Sequence, residues 1–305
     1  MTATKICNPP GPSPLVYCAI GDSYGFSFEF ASADFVETNN DLRYHQHPKF
    51  GVRPGVYSDD TQMQMALAEV IASGREWTPR IIAASFVDVF KRDPREGYAR
   101  RFYNLLQQVK NGDELLATIV PDSKRNGAAM RAPVVGLFSD IHEVIGRSEV
   151  QARITHDTKI GVDSAIAAAL IMHFFAYDLG PKANLPGFLN KFVPGYGWET
   201  DWSGPVAVHG IVTVRAALTA IMRHDTLSDV LRSCVAFTGD VDSVAAVAVA
   251  AASGYHKFKK DLPEQLWEGC ERSQYGLVYL LDLDRRVRSV TIDEGPLMQA
   301  RDSCR

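Results

Sequence analysis

The sequence predicts an all-α fold in one domain, and three features carry that prediction. Apolar residues recur at helical spacing in long segments throughout the chain, while few stretches alternate as a half-buried strand does. Two of those segments open on residues suited to cap a helix, Ser58 and Thr78, the second followed by Pro79. No internal repeat divides the 305 residues, and two acidic pairs, Asp59-Asp60 and Asp240 with Asp242, lie far apart in sequence yet need each other to make a site.

Residues 1–14 form a flexible, proline-rich lead whose single Lys5 and run Pro9-Pro10-Gly11-Pro12-Ser13-Pro14 lack the basic-then-apolar order of a signal peptide. Residues 15–20 are apolar almost throughout and predict a buried helix, broken near Gly25 after Gly21-Asp22-Ser23-Tyr24-Gly25. Glu29 sits between Phe28 and Phe30, where a carboxylate is desolvated unless it faces a cleft; a solvated loop position is the plainer alternative. Residues 31–57 are polar and turn-rich, which predicts a loop beside the site, with His45 and His47 as surface-loop residues rather than a metal pair. Ser58 reads as an N-cap because Met63, Leu67, Val70 and Ile71 follow at helical spacing. Asp59 and Asp60 then fall in the first turn, where exposed N–H groups and the helix dipole stabilise negative charge.

The helix opened by Thr78-Pro79 turns Ile81, Ile82, Phe86, Val89 and Phe90 inward and ends at Asp93-Pro94. Residues 98–110 predict an amphipathic helix closed by Asn111-Gly112. In Arg125-Asn126-Gly127-Ala128-Ala129-Met130-Arg131 small residues bring the backbone close to whatever docks there, either a pyrophosphate or ribose or simply a packed helix. Thr155-His156 precedes a helix starting near Gly161, on which His173 is a core residue. Residues 179–205 are loop-rich, and Tyr196, Trp198 and Trp202 are available either to stack on an adenine or to pack the loop against the body. Helices over 206–222 and 226–237 deliver the chain to Gly239-Asp240-Val241-Asp242-Ser243, after which the run of alanines and valines to Ala252 predicts a deeply buried helix. A further helix starts near Leu262, and residues 275–290 form either a last helix or a frayed extended end.

Aspartates at i and i+2 do not share a face of a regular helix, but they aim at one point if Gly239 lets the chain turn sharply at the helix entrance. Two such entrances meeting would gather four carboxylates, with Ser58 and Ser243, around one cavity. Mutual repulsion there raises their pKa values unless cations sit among them, and the natural cations are oxygen-seeking magnesium, manganese or calcium.

A net charge of −4 with no basic patch makes nucleic acid an unlikely partner. Cys7, Cys18, Cys234, Cys270 and Cys304 are scattered and odd in number, without a C-x-x-C pair, which predicts no disulfide framework and no zinc site and suits a cytoplasmic location. No apolar run approaches the ~20 residues that cross a bilayer, so no membrane partner is expected.

Five blocks resemble the ADP-ribosylglycohydrolase family, which includes the dinitrogenase-reductase-activating glycohydrolases and the ADP-ribosylarginine and ADP-ribosylserine hydrolases. They are Gly21-Asp22-Ser23-Tyr24-Gly25 with Glu29; Ser58-Asp59-Asp60-Thr61-Gln62-Met63; Asn126-Gly127-Ala128-Ala129-Met130-Arg131; Thr155-His156; and Gly239-Asp240-Val241-Asp242-Ser243. The resemblance implies a single compact orthogonal helix bundle over residues 15–305 and metal-dependent hydrolysis of the glycosidic bond at C1″ of ADP-ribose. It implies two Mg2+ ions, with Mn2+ as the alternative, held by Ser58, Asp59, Asp60, Asp240, Asp242 and Ser243. Glu29 becomes the catalytic carboxylate, and Asn126, Gly127, Ala128, Met130 and His156 the substrate contacts. The expected partner is ADP-ribose or an ADP-ribosylated protein, arginine-linked in the first instance, with a small acceptor as the alternative carrier, and a monomer is the expected state.

The chain departs from the family pattern with Arg125 in place of a glycine and with Val241 and Ser243 in place of threonines. Serine keeps the hydroxyl, and Val241 is expected to point away from the site. Two other readings compete. Asp240-Val241-Asp242-Ser243-Val244 also resembles the nucleophile motif of haloacid-dehalogenase-type phosphatases, but that motif needs a strand before it and a later acidic pair. The fold could also serve a binding protein that neutralises an ADP-ribosyltransferase toxin.

Overall fold

The computed structural model describes residue 9, residues 11–49 and residues 51–292. Among the described residues extended pairing is limited to isolated bridges, Asp122 with His156, Val206 with Gly239 and Thr226 with Lys259, so the fold is all-α as the periodicity predicts.

Helix α1 (Pro14–Phe26) is buried along its whole length and forms the centre of the molecule. A short α2 (Ala33–Asn39) follows where the polar composition predicts only loop; the Ser32 hydroxyl caps it by accepting from the Phe35 N–H, and Val36 anchors it in the core. Ser58 caps α3 (Asp59–Ala72) and Thr78 caps α4 (Pro79–Arg92), as expected, with Asp93 ending α4. Asn111 does not close α5 (Arg100–Gln108). It starts α6 (Gly112–Thr118) instead, because its side-chain oxygen accepts from the Glu114 N–H at 2.9 Å while Glu114 returns a carboxylate to the Lys110 N–H at 2.9 Å. The four-residue α7 (Gly127–Met130) leads into a 3-10 turn, Pro133–Leu137, and then α8 (Ile141–Arg153), a helix beyond those expected from periodicity.

Thr158 caps α9 (Lys159–Ala176), and α10 (Leu185–Phe192) lies inside the stretch expected to be loop. The remaining helices are α11 (Gly210–Arg223), α12 (Leu227–Ala236), α13 (Val241–Ala252), α14 (Glu264–Gly269) and α15 (Leu277–Thr291). By length and composition α9 alone among the described helices could cross a bilayer, yet 78% of it is buried inside the body, where it serves as a core helix.

The crossing of α1 and α13 places the site. A Cβ on Gly21 would lie 2.5 Å from the Ala245 carbonyl oxygen, and one on Gly25 would lie 2.4 Å from the Asp242 Cα. The two backbones therefore touch where both glycines face α13, which brings the end of α1 and the following Glu29 against the start of α13. Of the expected flexible lead, residues 1–8 and 10 lie outside the described residues. Its last residues are packed: Arg288 donates to the Pro12 carbonyl and the Ser13 hydroxyl at 2.8 Å each, and Asp284 accepts from the Leu15 and Val16 N–H groups at 3.0 Å. Cys18, Cys234 and Cys270 are buried free thiols; Cys7 and Cys304 lie outside the described residues.

Candidate functional site

The entrances of α3 and α13 meet at the floor of a cavity of about 900 Å³ that is lined by Glu29, Asp59, Asp60, Asp240, Asp242 and Ser243. At the α13 entrance Thr238 and Gly239 both adopt positive φ, and a Cβ on Gly239 would lie 2.2 Å from the Val206 carbonyl oxygen. Only a glycine fits a turn that is both left-handed and pressed against a neighbouring backbone. The Asp240 N–H then donates to Val206 at 2.9 Å, which fixes the turn. Val241 is fully buried in the hydrophobic core and points away from the site, as expected for the residue between the two aspartates.

At the α3 entrance the organising residue is Asp22. It accepts from the Ser58 N–H at 3.1 and 3.0 Å, from the Thr61 N–H at 3.0 Å and from the Thr61 hydroxyl at 2.6 Å. A buried carboxylate on α1 thus satisfies the exposed donors of α3 and aims Asp59 and Asp60 at the cavity. Ser58 lies beneath them: its hydroxyl accepts from the Asp60 N–H at 3.3 Å and does not line the cavity. From the opposite side the Asp59 N–H donates to Glu96, and Gly97, at φ +103°, presses so close that a Cβ there would lie 2.2 Å from Asp59 Oδ1. The Asp93 carboxylate turns away from the cavity to pair with Arg95, which also pairs with Glu271.

Glu29, Asp240 and Asp242 bring carboxylate oxygens within 4.8 Å of one another. Burial first, and neighbouring carboxylates second, push Asp59, Asp60 and Asp242 well above the ordinary carboxylate range; burial also raises Asp240. Glu29 is pushed up to about 8 by burial and then by Asp240 and Asp22. Two buried oxygens, Asp60 Oδ2 and Asp242 Oδ1, have no hydrogen-bond partner among the described residues. Carboxylates gathered in this way, with oxygens left over, fit oxygen-seeking divalent cations, which would take the place of the protons.

The substrate residues expected from sequence divide into three roles. Gly127 and Met130 line the cavity. Asn126 lines it too, but its amide is committed to Asp240 Oδ2 at 2.6 Å and to the Thr213 hydroxyl at 3.2 Å, so it positions a floor carboxylate. Ala128 is fully buried facing α8, where its carbonyl accepts from Gln151 at 3.0 Å, and it does not line the cavity. His156 borders the cavity beside Gly127, and its Nδ1 shares a 2.6 Å hydrogen bond with the Thr155 hydroxyl, which accepts from the buried Arg131 at 2.9 Å. Burial and the Arg131 charge lower its pKa to about 3, so the ring is neutral at physiological pH.

His47 is not a surface-loop residue. It is buried, its Nδ1 accepts from the Lys49 N–H at 3.0 Å, and the ring proton on Nε2 therefore donates to the Glu29 carbonyl at 2.7 Å. No local sequence signal marks that contact. The aromatics of residues 179–205 pack the body rather than the cavity: Trp198 donates to Val193 and Tyr196 to Asp163. The cavity wall comes instead from α5 and the end of α6, with Phe102, Leu105, Ile119 and Val120, and its rim carries Arg100, Arg101, Lys124 and Arg125. The chain thus has a local basic patch that an even distribution along the sequence conceals. His173 is a core histidine as expected, facing the Gly136 carbonyl and Tyr177.

The model for the family described as ADP-ribosylglycohydrolase matches residues 15–294. The chain belongs to the ADP-ribosylglycohydrolase family. It is similar to the ADP-ribosylarginine hydrolase Tri1 of Serratia proteamaculans, 23% identical over 272 residues that cover 83% of this chain and 74% of the relative. It is also similar to the ADP-ribosylhydrolase ARH3 of Xenopus tropicalis, 21% identical over 66% of this chain and 73% of that protein, and to human ARH3, 27% identical over 52% and 48%. A solved ADP-ribosylglycohydrolase-related protein complex contains a chain that superposes with a TM-score of 0.69, covering 92% of this chain and 97% of that one at 21% identity, so the fold is shared. As an ADP-ribosylglycohydrolase, the chain is a hydrolase of ADP-ribosyl groups.

Proposed function

We propose that the chain hydrolyses the bond between C1″ of ADP-ribose and a protein side chain, arginine first among them, and so reverses ADP-ribosylation. The observation that carries this reading is the meeting of the Glu29, Asp240 and Asp242 carboxylates within 4.8 Å at the floor of a cavity with a cationic rim. Such a cavity is polarised to match the ligand: the rim arginines suit the diphosphate, and the acidic floor suits a ribose that gains positive charge as its C1″ bond breaks. Asp59, Asp60, Asp240 and Asp242, with Ser243 beside them, would hold two magnesium ions, or manganese in their place. Such ions, when bound, neutralise the carboxylates and lower the pKa of water.

The protein's own groups orient and protonate. Asp22 and Asn126 fix the floor carboxylates, while His47 fixes the backbone of Glu29. Glu29, whose carboxylate meets Asp240 and Asp242 at the floor, is placed to give a proton to the departing nitrogen and receive one from the water whose oxygen bonds to C1″.

The test is thermal melting with ADP-ribose, with and without magnesium or manganese, alongside release of ADP-ribose from an ADP-ribosylarginine peptide, for the native chain and for Asp240→Asn. A metal-dependent rise in Tm and hydrolysis, both lost in the variant, are expected. Absence of any shift and any hydrolysis would instead favour the binding-protein reading.

A further inference from the structure

We propose that Phe30 is the residue that recognises the acceptor side of the substrate, its ring stacking on a planar cationic leaving group, the guanidinium of an arginine side chain. The inference rests on the glycohydrolase reading and adds the residue that selects the acceptor.

Phe30 follows Glu29 directly and lines the cavity with 45% of its surface exposed. Its backbone has φ +50°, a left-handed conformation that glycine adopts freely and a bulky side chain seldom does. The strain is held in place, because the Phe30 N–H donates to the Gly239 carbonyl at 2.8 Å and so ties the Glu29 turn to the turn that presents Asp240. A glycine would satisfy that backbone better. The ring, meanwhile, leaves nearly half of its surface open to the cavity and makes no ring contact with any described residue. A large aromatic side chain kept at a strained position and left open to a cavity points to contact with a ligand.

The surroundings indicate which ligand. Phe30 lines the same cavity as the three carboxylates that meet within 4.8 Å and directly follows one of them, Glu29, on the side from which the acceptor would leave in the glycohydrolase reading. A negative local potential and an open aromatic face both favour a planar cation, and a guanidinium stacks on such a face while a seryl oxygen gains nothing comparable from it. Phe30 therefore favours arginine-linked over serine-linked ADP-ribose.

The variants are Phe30→Gly, which relieves the backbone and removes the ring, Phe30→Asn, which tolerates the backbone without a ring, and Phe30→Tyr, which restores the ring. The readouts are Tm, Kd for free ADP-ribose, and kcat/KM on arginine-linked and serine-linked peptides. We expect Phe30→Gly to melt no lower than the native protein. In both ringless variants kcat/KM on the arginine-linked peptide should fall about 3- to 30-fold further than ADP-ribose affinity does, the range of a cation–aromatic contact, and Phe30→Tyr should recover it. Parallel falls in kcat/KM and affinity, no fall at all, or a Phe30→Gly protein that melts lower would overturn the assignment. Native protein that cleaves only the serine-linked peptide overturns this inference and leaves the glycohydrolase reading standing; cleavage of neither peptide overturns both.

Discussion

The Asn126 side-chain amide donates to Asp240 Oδ2 at 2.6 Å, joining the short helix α7 to the start of α13 across the cavity floor. Asp240 takes its backbone geometry from Gly239 and Val206 and its side-chain orientation from Asn126. A residue that by motif alone passes for a substrate contact thus also acts on the proposed metal ligand.

Asn126→Ala should leave Asp240 without this donor and reduce both activity and apparent magnesium affinity about 10- to 100-fold, as is usual when a partner of a metal-ligating carboxylate is removed. Titrating magnesium against Tm and against kcat/KM on ADP-ribosylarginine checks both. If Asn126 contacts only the sugar, KM for the substrate will rise while the magnesium midpoint stays in place.

Stability in a chelator should fall as pH rises. Burial raises Asp22 to about 6, Asp284 to about 7 and Glu29 to about 8, whereas unfolded carboxyls titrate near 4. The folded chain therefore holds more protons than the unfolded chain between roughly pH 4 and 8, and by linkage its stability is fullest below that window and is lost as pH climbs through it. Divalent cations compete with the protons at the floor, so the rise in Tm on adding magnesium should be larger near pH 8 than near pH 6. Melting curves across this range decide the matter, and a chelated protein that becomes steadily more stable toward pH 8 contradicts it.

Gly25→Ala should destabilise the fold and blunt the response to metal together. The added Cβ would lie 2.4 Å from the Asp242 Cα, and because backbone meets backbone no side chain can move aside. Forcing α1 and α13 apart costs about 1–3 kcal/mol, which for a domain of this size lowers Tm by roughly 2–4 °C per kcal/mol. Gly187→Ala is the control: within α10 its added Cβ meets nothing within 4 Å, and alanine favours a helix by up to ~1 kcal/mol. Equal effects from the two substitutions would show that the α1–α13 contact does not place Asp242.

Much of this molecule was legible along the chain because its signals are local. Ser58 and Thr78 each sit beside the N–H groups they cap, and the glycine at 239 precedes the aspartates it turns. Helical periodicity, likewise, needs only neighbouring residues, and the short family blocks mark both halves of the floor. Asn111 shows the limit of local reading: Asn-Gly suits a helix end and a helix start alike, and the Glu114 N–H decided in favour of a start.

Contacts between distant segments were decided by the tertiary structure alone. The hydrogen bond from His47 to Glu29, the clamp of Asp22 on α3, the turning of Ala128 toward α8 and the gathering of Arg100, Arg101, Lys124 and Arg125 on one rim leave no mark in composition or spacing. The strained backbone of Phe30 is likewise invisible in a residue name. The sequence determined which chemistry was available, because residue type sets charge, donors and backbone freedom; packing decided which groups share a cavity, because that depends on how closely α1 and α13 approach.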